Sequence, residues 1–168
     1  MTFKMLIVDD EEANLRTLDR LFREEYTVFT ATSGADALSL LQQHDVAILI
    51  TDQRMPVMTG IELLGKTAEL RPQMVRILLT GYTDVGSLIE AINCGLVYRY
   101  LTKPWNNDDL RSTVSRALEH HEVMKSQHWL KQSNERLQAR LKEISELATE
   151  PETNIGTSDR ELEVALVV

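Results

Sequence analysis

The chain has 168 residues, 43% of them hydrophobic and 26% charged, which is enough apolar material for a buried core and argues against a disordered segment. Its net charge of −8 would repel a phosphate backbone, so direct nucleic-acid binding is not expected. A single cysteine excludes an intrachain disulfide and a cysteine-rich zinc site. No apolar run approaches the roughly 20 residues of a membrane span. The opening MTFKMLIVDD turns acidic too early for a secretory signal, so a cytoplasmic setting is expected.

Short β-branched or apolar runs recur at Lys4–Val8, Tyr26–Ala31, Val46–Thr51, Met74–Thr80 and Leu96–Leu101. Segments of helical period lie between them, which predicts βα units around a parallel sheet. The runs AILI and RILL are nearly continuous, as suits central strands covered on both faces. Ser33 with Asp36, and Asn106 with Asp109, have the spacing of helix N-caps. Gly60 opens IELLGKTAEL and Pro72 closes it.

From Asn107 to about Ala148 there is neither Pro nor Gly, so nothing obliges the last helix to stop. Val123, Gln127, Leu130, Asn134, Leu137, Leu141, Ile144 and Ala148 follow a 4-3 spacing over roughly three heptads, the minimum for a coiled coil. Asn134 falls at an a position, where one Asn favours a parallel two-stranded register. A homodimer through Leu130, Asn134, Leu137, Leu141 and Ile144 is therefore expected. The alternative is an amphipathic helix packed on a neighbouring domain. The expected organisation is a domain over 1–121, a helical extension over 122–148, and a linker or the start of another domain over 149–168.

Open α/β sheets place their sites outside the carboxyl ends of the strands. Asp9 and Asp10 stand there after the first strand, Asp52 after the third, Thr80 after the fourth and Lys103–Pro104 after the fifth. Clustered carboxylates without His or Cys suit Mg²⁺. A lysine and a hydroxyl beside such a site would receive anionic oxygens. Together they point to a phosphoryl group, with Asp52 as the candidate nucleophile that would form an acyl phosphate. Taken singly, each residue has a plain structural reading: the acidic pair as a helix cap, Asp52 as a turn residue, Thr80 as a strand end, Lys103 as a solvated cation and Tyr100 as core. His120, His121 and His128 are read as solvated or packing residues, since no carboxylate or cysteine joins them in a metal spacing. Cys94 is expected to be a small buried residue.

IVDDEEANL, ILITDQRMPVMTGIELL, ILLTGYTD and YRYLTKPW, in this order and each at a strand end, resemble the receiver domain of bacterial two-component response regulators. The resemblance covers about residues 3–121. It implies a flavodoxin-like, doubly wound five-stranded parallel sheet of order 2-1-3-4-5 with an extended C-terminal helix. It implies that Asp52 accepts a phosphoryl group from a sensor histidine kinase or phosphotransfer protein. Asp10 directly, and Asp9 largely through water, would hold Mg²⁺ together with Asp52 and the backbone carbonyl of Arg54. Lys103 and Thr80 would meet the phosphoryl oxygens, and Tyr100 would turn inward as Thr80 moves. Lys103–Pro104 would be a cis peptide and Gly60 the residue closing the loop after Asp52. Arg54 and Tyr82 would flank the path of the hydrolytic water. The output would pass through the face of helix 4, strand 5 and helix 5 to an effector, since no effector module fits in the remaining residues.

TDQRMPVMTG further resembles receivers attached to HD-GYP phosphodiesterase modules or to hydrogenase-type transcription regulators. Three rival readings share parts of the pattern. A nucleotide-binding flavodoxin relative would need a Gly- or Ser-rich loop where this chain has DDEEA. An Asp-nucleophile phosphatase usually carries a second Asp two residues on, where this chain has Arg54. A scaffold that signals without phosphorylation is opposed by the intact site.

Overall fold

The computed structural model describes residues 2–81 and 85–148. Five strands and five helices alternate: β1 (Lys4–Val8), α1 (Glu12–Phe22), β2 (Thr27–Ala31), α2 (Gly34–Gln43), β3 (Ile48–Asp52), α3 (Gly60–Leu70), β4 (Val75–Thr80), α4 (Val85–Asn93), β5 (Arg99–Thr102) and α5 (Asn107–Ala148). All pairings are parallel and the sheet order is β2-β1-β3-β4-β5. The flavodoxin-like order expected of the chain is thus the observed one. Every residue of β3 and β4 is buried, as their unbroken apolar runs predict. β5 is an edge strand, and that is why Tyr100 is exposed.

The two faces of the sheet carry separate cores. Met5, Ile7, Ile48, Ile50 and Ile77 pack against Leu18 and Phe22 of α1 and Leu110, Val114 and Ala117 of α5. Leu6, Leu49 and Leu78 pack against Ala37 and Leu41 of α2, Leu63 and Leu64 of α3 and Leu88 of α4. The alternation of β1, β3 and β4 sends successive residues to opposite cores. Each fully buried Leu or Ile side chain adds about 2 kcal/mol to the driving force.

Local signals set the element ends. Ser33 Oγ accepts from the Asp36 amide, and Asn106 Oδ1 accepts from the amides of Asp108 and Asp109, so both expected caps form. α3 starts on Thr59, whose hydroxyl accepts from the Glu62 amide while Glu62 accepts from the Thr59 amide. Gly60 is the first helical residue, as expected, and Thr59 before it supplies the cap. At the far end of α3, the buried Arg76 donates to the carbonyls of Thr67 and Arg71 and to the Thr67 hydroxyl. A cation at a helix C-terminus is favoured there by the unpaired carbonyls.

β5 begins later than its apolar run. Gly95, at φ 67°, closes α4, and the Leu96 amide donates back to the Ala91 carbonyl. Residues 96–98 are thereby spent on the connection. The same turn corrects the reading of Cys94, which lies past the end of α4 and is exposed rather than buried. His121 is buried, its Nδ1–H donating to the Gln73 carbonyl at 2.8 Å with its ring edge-on to Phe3. His120 lies against Tyr98.

The chain divides into two compact units, one ending at His128 and one beginning at Trp129. The described part of the second, 129–148, is entirely helical. Among the described residues, no helix is long and apolar enough to cross a membrane. The expected linker over 149–168 lies outside the described residues.

Gly60 is fixed by space rather than by dihedral angle. A Cβ at this position would stand 2.2 Å from the Asp52 carbonyl oxygen and 2.9 Å from Leu78 Cδ1. Backbone oxygen cannot yield as a side chain would. Gly60→Ala should therefore destabilise the domain by about 2 kcal/mol or more, read as a lower urea midpoint with unchanged m; an unchanged midpoint would refute the contact.

Candidate functional site

The order of the sheet reverses between β1 and β3, and the carboxyl edge at that point is where a doubly wound sheet holds its ligand. Asp52 is the last residue of β3, one further along than its run predicts, and Asp9 and Asp10 directly follow β1. Lys103 follows β5, after a cis peptide to Pro104. The topology therefore brings three separate stretches of chain to one edge.

There Lys103 Nζ lies 2.8 Å from Asp9 Oδ2 and 2.8 Å from Asp52 Oδ1. One carboxylate oxygen from each of Asp9, Asp10 and Asp52 lies within 4.8 Å of the others. Asp9 and Asp52 are buried, whereas Asp10 is exposed. Both Asp9 oxygens are engaged: Oδ1 accepts from the Glu11 amide, and Oδ2 accepts from Asn14 Nδ2 as well as Lys103. Asp52 Oδ2 accepts from the Arg54 amide at 3.0 Å. The loop after Asp52 is pinned at both ends, since the Gln53 amide donates to Leu79 O and the Gly60 amide to Gln53 O. The buried Gln53 side chain also accepts from the Ile61 amide.

Between these pins the Met58 amide donates to the Pro56 carbonyl, and Val57 at the centre of this tight turn has φ 70°. A β-branched residue in that region is strained by about 1–2 kcal/mol. Its side chain is fully exposed.

Thr80 is the buried last residue of β4, and its hydroxyl donates to the Gly81 carbonyl. The Lys103 amide donates to the Thr80 carbonyl at 2.8 Å, so the hydroxyl-bearing and ammonium-bearing strand ends are joined through the backbone. Tyr100 points outward, 43% exposed, on the edge strand. Arg54 is exposed beside Asp52. Tyr82 lies outside the described residues.

Burial raises the pKa of Asp52 above the usual carboxylate range, outweighing the opposing pull of the Lys103 hydrogen bond and charge. Burial alone would lower that of Lys103, but its hydrogen bonds to Asp52 and Asp9 prevail and hold it above the ordinary lysine value. Three carboxylates facing one ammonium leave an excess of negative charge and of hard oxygen donors. That donor set fits a divalent cation of the Mg²⁺ type.

Asn14 and Gln53 went unnoticed in the sequence. The available signal for Asn14 was its place in the first turn of α1, facing back toward Asp9. For Gln53 there was none, because an amide between Asp52 and Arg54 reads as ordinary loop.

A doubly wound sheet of this order with an acidic cluster and a lysine at its carboxyl edge has the architecture of the receiver class of signalling domains. The sequence matches the response regulator receiver domain over residues 5–115, and the chain belongs to that family. Its class implies phosphorylation-dependent signalling in two-component systems. The chain is 39% identical over 126 residues to the hydrogenase transcriptional regulatory protein HoxA of Cupriavidus necator, an alignment covering 75% of this chain and 26% of that protein. It thus spans about a quarter of the length of that curated relative. Its fold is similar to the signal receiver domain of an HD domain-containing protein from Pseudomonas fluorescens, with TM-score 0.70, 36% identity, and 73% and 99% of the two chains covered. It is also similar to a structure described as an adenylate cyclase from Rhodopirellula baltica, with TM-score 0.76, 31% identity, and 79% and 98% covered. The hydrogenase regulator is one of the two kinds of relative expected from TDQRMPVMTG; for the other, expected to be of HD-GYP type, the similar structure is described only as the receiver of an HD domain-containing protein.

The raised pKa of Asp52 gives a signed expectation. A carboxyl with a raised folded pKa adds stability while protonated and loses it as pH rises through that value. A divalent cation binds the ionised carboxylate and acts in the opposite sense. Mg²⁺ should therefore raise the unfolding temperature at neutral pH and lose that effect as the medium is acidified through the Asp52 titration. Thermal unfolding with and without Mg²⁺ across pH checks this, and an equal Mg²⁺ effect at acid pH would refute it.

Proposed function

We propose that Asp52 is the phosphoacceptor of a phosphorylation-dependent switch, taking its phosphoryl group from a sensor histidine kinase or phosphotransfer protein. The observation that carries this reading is the single ammonium of Lys103 bonded to both Asp9 and Asp52 at 2.8 Å, with Asp10 completing the acidic cluster. An Asp52 oxygen attacks phosphorus, the P–N bond of the phosphohistidine breaks, and the imidazole departs with the bonding pair and a proton from solvent. Positioning and charge account for most of such a transfer.

Asp9, Asp10, Asp52 and the Arg54 carbonyl would hold Mg²⁺, which when bound supplies charge for the phosphoryl oxygens. Asp10, exposed, fits a direct ligand, and Asp9, with both oxygens already accepting hydrogen bonds, fits contact through water. Lys103 exchanges part of its contact with Asp52 for a phosphoryl oxygen. Thr80 turns its hydroxyl from the Gly81 carbonyl toward the same group, and Tyr100 moves inward from its exposed position. Arg54, exposed next to Asp52, affects the lifetime of the acyl phosphate. The change is read on the α4–β5–α5 face and passed along the C-terminal helix to an effector.

Asp52→Asn should abolish labelling by radioactive acetyl phosphate in the presence of Mg²⁺, and chelation should abolish it in the unmodified chain. Lys103→Ala should lower the labelling rate by roughly a hundredfold, given the weight of electrostatic stabilisation in such transfers. Base-labile label at full stoichiometry on the Asp52→Asn protein would overturn the assignment.

A further inference from the structure

Residues 129–147 contribute no side chain to the site described above, and their large apolar side chains lie exposed. Leu130, Leu137, Leu141 and Ile144 are each more than half exposed. They are not scattered. With Asn134 they keep a strict 4-3 spacing, which extends in the sequence back to Val123 and Gln127. A solitary helix covering a globular domain has a period of 3.6 and a wider apolar stripe. A narrow seam of period 3.5 is the requirement of helices supercoiled about each other.

We infer that this segment pairs with a second copy of the same chain as a parallel, in-register two-stranded coiled coil. Leu130, Leu137 and Ile144 occupy d positions, and Asn134 and Leu141 occupy a positions. Leu141 at a with Ile144 at d would by themselves favour more than two strands, and the single Asn134 at an a position is what selects two. Asn134 fixes the direction. In a parallel pair in register its amide meets the partner's Asn134 and both are satisfied. In an antiparallel pair an a position faces a d position, and each amide would be set against leucine without a hydrogen bond. A second copy is the one partner certain to carry an amide at that level.

The flanking charges are compatible with self-pairing. Lys131 and Arg140 are the charged residues at e and g, and the positions they would face across a parallel pair are Ser126 and Ser145, so no like charges meet. Glu135, Lys142, Glu143 and Glu146 fall outside the seam, with Lys142 and Glu146 paired along their own helix. This inference does not depend on Asp52 being the phosphoacceptor, and failure of either leaves the other standing.

The test uses the full 168-residue chain with Cys94→Ser, so that one introduced thiol reports alone. Sedimentation equilibrium should give a dimer. Leu137→Cys should form an intermolecular disulfide under mild oxidation, and Ala139→Cys, on the outer face, should not. Leu137→Lys should yield a monomer with unchanged circular dichroism of the sheet domain. Asn134→Leu should tighten association by roughly tenfold or more while admitting higher oligomers, because the amide that costs stability also specifies two strands. A monomer at the highest soluble concentration, a trimer or tetramer of the unmodified chain, or cross-linking of Ala139→Cys in place of Leu137→Cys would overturn the proposal.

Discussion

The contact between one ammonium and two carboxylates organises the edge of this domain. Asp9 and Asp52 are both buried at the ends of adjacent strands, and two negative charges so placed repel. Lys103 reaches both from β5, at the far side of the sheet. The parallel pairing of β4 with β5, and the bond from the Lys103 amide to the Thr80 carbonyl, bring that side chain to the edge. Without the ammonium the two acids would have to separate or protonate.

One positive charge does not neutralise three acids, and this imbalance distinguishes a site from a structural ion pair. A buried pair kept only for stability is normally matched and is often replaceable by apolar residues. Here Asp10 adds a third, exposed carboxylate, and the Asp52 carboxyl titrates high because burial outweighs its pairing with Lys103. The edge thus carries an excess of negative charge and of oxygen donors.

The fold was legible because each level of the sequence agrees with the others. Unbroken apolar runs became β3 and β4, helical periods filled the gaps, and Ser33 and Asn106 capped as their spacing predicts. Strand ends were read less well, for identifiable reasons. Leu96 and Val97 are apolar but belong to the turn closed by Gly95, so hydrophobicity alone started β5 too early. The same turn exposes Cys94, which its small size alone would place inside. Gly60 was noticed as a loop residue, but not why: it needs no unusual dihedral, only the absence of a Cβ against the Asp52 carbonyl, and such a contact spans two elements and leaves no local mark. Asn14 and Gln53 were missed likewise, because their partners lie across the site rather than along the chain.

The hydrogen bond from the Lys103 amide to the Thr80 carbonyl constrains how such a site can change shape. Adjacent strands tied at their very tips cannot slip past one another without breaking the tie. Rotation of the Thr80 hydroxyl about its own Cα–Cβ bond leaves that tie intact. The ammonium, by contrast, hangs on four methylenes and is held by its two carboxylate partners rather than by the strand itself. Rearrangement at this edge consequently divides between a flexible tether on one strand and a pivot on its neighbour, with the sheet beneath them acting as a fixed bench.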